Sequence, residues 1–104
     1  MKVTITGFAK QKIRETATHI QMEFGRKNRD IFLHKVQDVR RYLETNPHLG
    51  PVEPLLSDCP KTYRSIVVTK LNKMIYHIAD DHIEVVDFLD VRREPKALAA
   101  QVKE

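Results

Sequence analysis

The feature that most constrains the fold is a change in the spacing of apolar residues along the chain. In the first half, apolar residues recur every three or four positions, which is typical of amphipathic α-helices. In the second half, after a proline-rich stretch at 47–61, short strand-like runs are separated by short turns. The sequence therefore predicts an α+β fold.

The two helical stripes predict a helical hairpin. Gly25 follows the first stripe and suits the end of a helix. The second helix is expected to begin near Asn28, a good N-cap residue, and to end at Asn46-Pro47. A short link between two amphipathic helices favours antiparallel packing. The stripes consist of Ala9, Ile13, Ala17, Ile20 and Phe24, and of Phe32, Val36, Val39 and Leu43.

The strand-like runs predict a sheet. A short strand at Lys2 to Thr6 precedes the helices, and Thr6 or Gly7 is expected to cap the first helix. The three later runs are joined by turns too short for a parallel connection. These runs are Tyr63–Val68, Lys73–Ile78 and Ile83–Leu89. The predicted order is β-α-α-β-β-β, an antiparallel sheet packed on the helical hairpin, with a short closing helix at 96–102.

Length and composition indicate one domain covering residues 1–104. The chain has 104 residues, of which 41% are hydrophobic, so it can bury one small core. Cys59 is the single cysteine, and no histidine has metal-ligand spacing, so neither a metal site nor a cofactor is expected. No signal peptide and no apolar run of membrane-spanning length are seen, which favours the cytoplasm over a membrane. The net charge of +4 favours an anionic partner.

Basic residues occupy the ends of the predicted strands. Arg64 begins the first C-terminal run, Lys73 begins the second, and Arg92 and Arg93 end the third. One interpretation is an electropositive surface that grips phosphates, since arginine can bind them with two hydrogen bonds. The alternative is a set of solvated charges, with the arginines paired to nearby carboxylates. In a meander of antiparallel strands, Arg64 lies at the end of the sheet opposite Lys73. Because the strands are short, all four cations could still surround one face or one edge of the sheet.

His77 is the best single candidate for proton transfer, because an unperturbed histidine titrates near pH 6.5. It lies on the same predicted strand face as Lys73 and at the same end of the sheet as Arg64. The alternative interpretation is an ordinary half-exposed strand histidine.

The order of elements and several motifs resemble the RelE/ParE superfamily of toxins from bacterial type II toxin–antitoxin systems. The resemblance covers nearly the whole chain. It rests on the two amphipathic helices, the link at 46–50, Tyr63-Arg64 and the run at 73–78. It also rests on the ending Phe88-Leu89-Asp90-Val91-Arg92-Arg93-Glu94-Pro95.

The resemblance implies a microbial-RNase-like domain and a cognate antitoxin whose C-terminal segment wraps the toxin. RelE-like members cleave mRNA in the ribosomal A site, whereas ParE-like members inhibit DNA gyrase. In a RelE-like enzyme Arg64, Lys73 and Arg93 would stabilise transition-state charge, and His77 or Glu94 would move the proton. Arg64, Lys73, Arg92 and Arg93 are equally the expected target- or antitoxin-binding residues.

Between these mechanisms the sequence favours the ParE-like one. The C-terminal tyrosine of RelE-like enzymes would fall at Ala99, and no tyrosine follows Tyr76. Losing one positioned acid or base typically lowers a rate by about 10²–10⁴-fold. The long helices followed by Asn46-Pro47 are also similar to those of ParE-like members. The alternative remains a ribosome-dependent mRNA endoribonuclease.

Overall fold

A computed structural model describes residues 1–92 of the chain. Its elements are β1 (Lys2–Ile5), α1 (Gly7–Phe24), α2 (Arg26–Thr45), a 3₁₀ turn (Pro54–Leu56), β2 (Arg64–Thr69), β3 (Asn72–Ile78) and β4 (His82–Asp90). This order agrees with the predicted β-α-α-β-β-β arrangement. Arg93, Glu94 and the predicted closing helix at 96–102 lie outside the described residues.

Local sequence signals set the ends of the helices. The Thr6 hydroxyl accepts a hydrogen bond from the Ala9 N–H at 3.2 Å, which caps α1 as expected. Gly25 alone separates the two helices, with a φ of +90° that favours glycine. The second helix therefore begins at Arg26, two residues before the predicted start. Asn28 instead donates its side-chain N–H to the Phe24 carbonyl at the end of α1 (2.8 Å).

The four strands form one sheet in the order β1-β4-β3-β2. The three C-terminal strands are antiparallel, as their short turns require. β1 pairs with β4 in parallel, with Lys2 opposite His82, so the sheet is mixed and the prediction of a wholly antiparallel sheet is corrected. The physical reason is that β1 joins the sheet through the long helical hairpin, a connection that leaves its direction unconstrained.

Both faces of the sheet are covered. The helices pack on one face, and their stripes meet the large buried side chains Met74, Tyr76 and Phe88. The other face carries a smaller cluster formed by Leu56, Tyr63, Ile75 and Leu89, over which the loop between α2 and β2 folds. Removing this apolar surface from water provides the main stabilisation, at about 25 cal/mol per Å². The predicted packing of sheet on helical hairpin is confirmed.

A β-bulge in β4 changes which side chains face the helices. Ile75 pairs with Asp87 and Tyr76 pairs with Val85, so Val86 is an extra residue. Val86 packs on the smaller cluster, and Asp87, which is 1% exposed, meets the Lys12 ammonium at 2.7 Å. This ion pair ties α1 to the sheet. Within residues 1–92, no helix is both long enough and apolar enough to cross a membrane.

Candidate functional site

The start of β2 is fixed by a buried tyrosine. The Tyr76 hydroxyl donates to the Pro47 carbonyl at 2.8 Å and accepts from the Gly50 N–H at 3.0 Å. Burial raises the pKa of Tyr76, and this effect outweighs the opposing effects of the Gly50 hydrogen bond and of Arg64, so the hydroxyl stays protonated. The link that follows α2 is thereby held against β3.

Arg64 takes its position from this link. Its Nη1 donates to the Gly50 carbonyl at 2.9 Å, and its backbone forms an isolated bridge with Val52. Arg64 lies opposite Tyr76 in the antiparallel pair and therefore starts from the helix-facing side of the sheet. It is half-buried at the edge of the sheet, where its guanidinium borders a surface cavity.

The cavity lies where β3 extends beyond the first residue of β2. Its volume is about 580 Å³. It is lined by His48, Lys61, Thr62, Arg64, His77, Ile78, Ala79 and Asp80. Because Arg64 and His77 line the same cavity, the structure confirms that they share one end of the sheet.

His77 is buried beneath this cavity and has an acidic partner. Its Nε2 lies 3.0 Å from Glu84 Oε1 on the neighbouring strand, and its ring meets the Tyr63 ring edge-on at a centroid distance of 5.7 Å. Burial, followed by the charges of Cys59 and Glu84, raises the pKa of Tyr63. The arrangement can orient the imidazole for proton transfer, since a carboxylate partner selects its tautomer. The expectation of a half-exposed histidine is not met, because His77 is only 8% exposed.

Lys73 lies on the other face of the sheet, away from Arg64. Its ammonium pairs with Glu53, a carboxylate that is 2% exposed. The same carboxylate accepts from the Leu55 N–H at 3.5 Å and begins the 3₁₀ turn. Lys73 therefore anchors the proline-rich loop onto the sheet, and its charge is largely neutralised.

Arg92 is exposed, and its guanidinium forms two hydrogen bonds with Asp90, from Nε at 3.0 Å and from Nη2 at 2.6 Å. With Lys73, it lies at the end of the sheet opposite Arg64, as the meander predicts. The expected convergence of the cations on one surface is not observed among residues 1–92. Arg93, the fourth predicted cation, lies outside them.

This distribution limits the chemistry of the described residues. Cleavage of RNA by its own 2′-hydroxyl needs a proton acceptor, a proton donor and positive charge at a single phosphate. Arg64 and His77 border one cavity, whereas Lys73 and Arg92 are paired elsewhere. Within 1–92 no cluster of three or more histidine, cysteine or acidic side chains could hold a metal ion.

A second concave surface, called here the α1 groove, runs between α1 and the opposite end of the sheet. Its volume is about 690 Å³. Apolar side chains from both sides line it, namely Phe8, Ile20, Phe24, Leu71 and Phe88. Lys12, His19 and Arg92 add basic groups, and Glu15 and Asp90 add acidic ones. Phe24 is 67% exposed, so this surface offers apolar area to a partner.

Sequence reasoning missed several residues of these sites. Glu84 could have been found, because a short turn between β3 and β4 places it beside His77. Glu53 and Tyr76 carry no such local signal, since each acts on a segment distant in the sequence. Lys61 lies in a loop whose path the sequence leaves open.

No protein-family model matches the sequence, and no curated protein matches it. Solved structures do share the fold. A chain of the chromosomal ParDE TA system from P. aeruginosa aligns with a TM-score of 0.73 and 14% identity, over 88% of this chain and 97% of that one. The YoeB/ParE toxin from Agrobacterium tumefaciens aligns with a TM-score of 0.59 and 20% identity, over 86% and 98%.

The YoeB dimer from Staphylococcus aureus aligns with a TM-score of 0.59 and 19% identity, over 89% of this chain and 98% of that one. In each case nearly the whole of the solved chain is matched. The RelE/ParE-like α+β fold predicted from the sequence is therefore confirmed.

Proposed function

We propose that this protein is the toxin of a type II toxin–antitoxin system and that it arrests growth by ParE-like inhibition of DNA gyrase. The observation that carries the proposal is the likeness of fold to a chain of a ParDE system, which extends over almost the whole of both chains. Since a fold alone does not define an activity, the argument for the mechanism comes from the candidate site.

The pairing of the cations supports a binding inhibitor over a nuclease. Lys73 and Arg92 each have a carboxylate partner, and Arg64 lies at the other end of the sheet. A nuclease needs its charged groups on one phosphate, whereas an inhibitor needs a complementary surface. Exposed Arg92 and the neighbouring Arg93 in sequence remain candidates for contact with the target or the antitoxin.

The proposed antitoxin would bind in the α1 groove. An amphipathic segment could place apolar side chains against Phe8, Phe24 and Leu71 and an acidic side chain near His19. Aromatic side chains in a groove are the usual anchors of such an interface. Both partners, gyrase and the antitoxin, would be met in the cytoplasm.

A supercoiling assay with purified gyrase tests the proposal. The protein is expected to block supercoiling, and replacing Arg92 and Arg93 with alanine is expected to weaken this inhibition. Lys35→Ala serves as the matched control, because Lys35 is an exposed cation on α2 outside both concave surfaces. Gyrase activity that is unaffected by excess protein would refute the gyrase mechanism.

A second candidate function is a RelE-like, ribosome-dependent mRNA endoribonuclease. The observation that favours it is the His77–Glu84 pair beside Arg64, which offers proton transfer next to a cation. Induced expression would then produce cuts at A-site codons of translated mRNA, and these cuts would disappear in Arg93→Ala. Intact transcripts during growth arrest would exclude this mechanism, and unimpaired growth would exclude both.

A further inference from the structure

The segment 54–62 of the proline-rich loop, called here the strap, is closed at its base by a hydrogen bond. The Glu53 N–H donates to the Tyr63 carbonyl at 2.8 Å, so the two ends of the strap lie side by side. The backbone hydrogen bonds that the strap donates are local, and they come from Leu56, Ser57 and Cys59. A segment with adjacent ends and its own internal bonds is an Ω-loop. Within residues 1–92, no backbone–backbone hydrogen bond joins the strap to the sheet.

One buried side chain fastens the strap to the sheet. Leu56 is 2% exposed and packs within the smaller apolar cluster. Cys59 is half-buried against the same cluster, and the other side chains of the strap are exposed. Pro54 and Pro60 restrict the backbone, so the strap can leave the sheet as one unit once Leu56 is withdrawn.

The Glu53 carboxylate couples the strap to Lys73. Glu53 is 2% exposed, and the Lys73 ammonium from β3 is its cation. The same carboxylate accepts from the Leu55 N–H at 3.5 Å, in the first turn of the strap. A buried carboxylate without its cation is strongly unfavourable, and water reaches this one when the strap lifts away. The pair with Lys73 therefore holds the strap down, and breaking the pair favours the lifted state.

We propose that the strap is a gate, latched by the Lys73–Glu53 pair, that opens while the sheet stays folded. Lys73 lies opposite Leu89 and two residues before Ile75, on the face that the strap covers. The closed gate neutralises Lys73 and keeps Leu89 and Ile75 at 5% and 0% exposed. The open gate presents the ammonium and the apolar surface together, so it decides when this face of the sheet can take a partner. This inference goes beyond the toxin proposal and does not depend on it.

Labelling of the Cys59 thiol in the folded full chain tests the gate. Cys59 is the single cysteine, so a maleimide reagent reports on the strap alone. Lys73→Met is expected to speed labelling about ten- to a hundredfold, because the unpaired Glu53 carboxylate drives the strap off the sheet. Losing a cation by itself would disfavour the thiolate and slow labelling, so a faster reaction reports opening. The amide protons of β3, followed by NMR, are expected to stay protected from exchange throughout.

Three further variants complete the comparison. Lys12→Met breaks the other buried lysine–carboxylate pair, whose side chains are 19% and 1% exposed, against 20% and 2% in the latch. This control is expected to lower the stability of the whole domain and to leave labelling without denaturant unchanged. Glu53→Gln alone removes the latch without leaving a buried charge and is expected to speed labelling severalfold, which tests the gate even where Lys73→Met does not fold. Adding Glu53→Gln to Lys73→Met is expected to slow labelling again, to about the rate of Glu53→Gln alone.

The proposal is overturned if neither latch variant labels faster than the unchanged protein, or if Lys12→Met speeds labelling as much as Lys73→Met does. Loss of β3 protection in step with faster labelling would also overturn it, since the whole sheet would then be opening. If the added Glu53→Gln does not slow labelling, the buried charge does not drive the gate. Gyrase supercoiling measures the toxin proposal separately, so either proposal can fail while the other stands.

Discussion

Replacing Gly50 with alanine would press a methyl group into the peptide backbone of β2. The added Cβ would lie 2.4 Å from the Ser65 carbonyl oxygen, 2.9 Å from the Ser65 carbonyl carbon and 3.1 Å from the Tyr76 ring. Real Cβ atoms essentially never approach other atoms more closely than 3.0 Å. Two of these atoms belong to backbone within the sheet, so the link that carries Gly50 must move.

The magnitude follows from two contributions. Overpacking of a well-packed site costs about 1–3 kcal/mol. Displacing the link also breaks or weakens the hydrogen bond from the Gly50 N–H to the Tyr76 hydroxyl, worth about 0.5–1.5 kcal/mol. The expected loss in the free energy of unfolding is about 2–4 kcal/mol, which would lower the Tm of a domain of this size by about 10–25 °C.

Urea and thermal unfolding followed by circular dichroism measure this loss. Gly7→Ala is the matched control, because a Cβ at Gly7, the first residue of α1, would meet no atom within 4 Å. This control is expected to leave stability unchanged or to raise it by about 0.4–1 kcal/mol. Equal stability of the Gly50→Ala and Gly7→Ala proteins would refute the reasoning.

Three further predictions concern buried groups and the helix link. Lys12→Met leaves the Asp87 carboxylate buried without its cation and is expected to lower the free energy of unfolding in urea by about 3–5 kcal/mol. A second change, Asp87→Leu, should restore most of this loss. An unchanged free energy of unfolding in the Lys12→Met protein would contradict the prediction. Burial raises the pKa of Tyr76 in the folded state above its ordinary value of 10.0. The stability that the protonated hydroxyl contributes is therefore complete below pH 10.0 and is lost as the pH rises through the folded-state pKa. Between about pH 9 and about pH 11, Tyr76→Phe should lose less stability than the unchanged protein, and parallel losses in the two proteins would speak against this reasoning. Gly25→Ala forces alanine to a φ of +90° and should lower the free energy of unfolding by about 1–2 kcal/mol in the same assay. The added Cβ would meet no atom within 4 Å, so this loss would come from the backbone conformation alone. An undiminished free energy of unfolding would disprove the role of backbone strain.

The elements of the fold are predictable from the sequence because they depend on local periodicity. The helical stripes, the Thr6 cap and the three antiparallel strands all follow from spacing and turn length. The start of α2 was misplaced because Gly25 ends one helix and begins the next without the expected Asn28 cap. A single glycine at positive φ accomplishes what usually takes a longer link.

The candidate site is less predictable because distant residues decide it. Strict alternation along β4 would place Leu89 on the same face as Ile83 and Val85. The bulge at Val86 instead places Phe88 there and turns Leu89 to the other face. The pairing of Lys73 with Glu53 likewise depends on the path of the proline-rich loop, so its neutralised charge could not be inferred from strand position.

The one-residue joint at Gly25 also sets the rotational phase between α1 and α2. Because Gly25 is itself non-helical, with a φ of +90° and a ψ of 173°, an insertion or deletion at this joint would change the direction in which α2 leaves α1 and would turn the buried stripe of α2 away from the sheet. Phe32, which meets the Phe88 ring edge-on at 5.7 Å, would then face water. The hairpin can therefore accept many replacements on its outer faces, while its length at the joint is fixed by geometry.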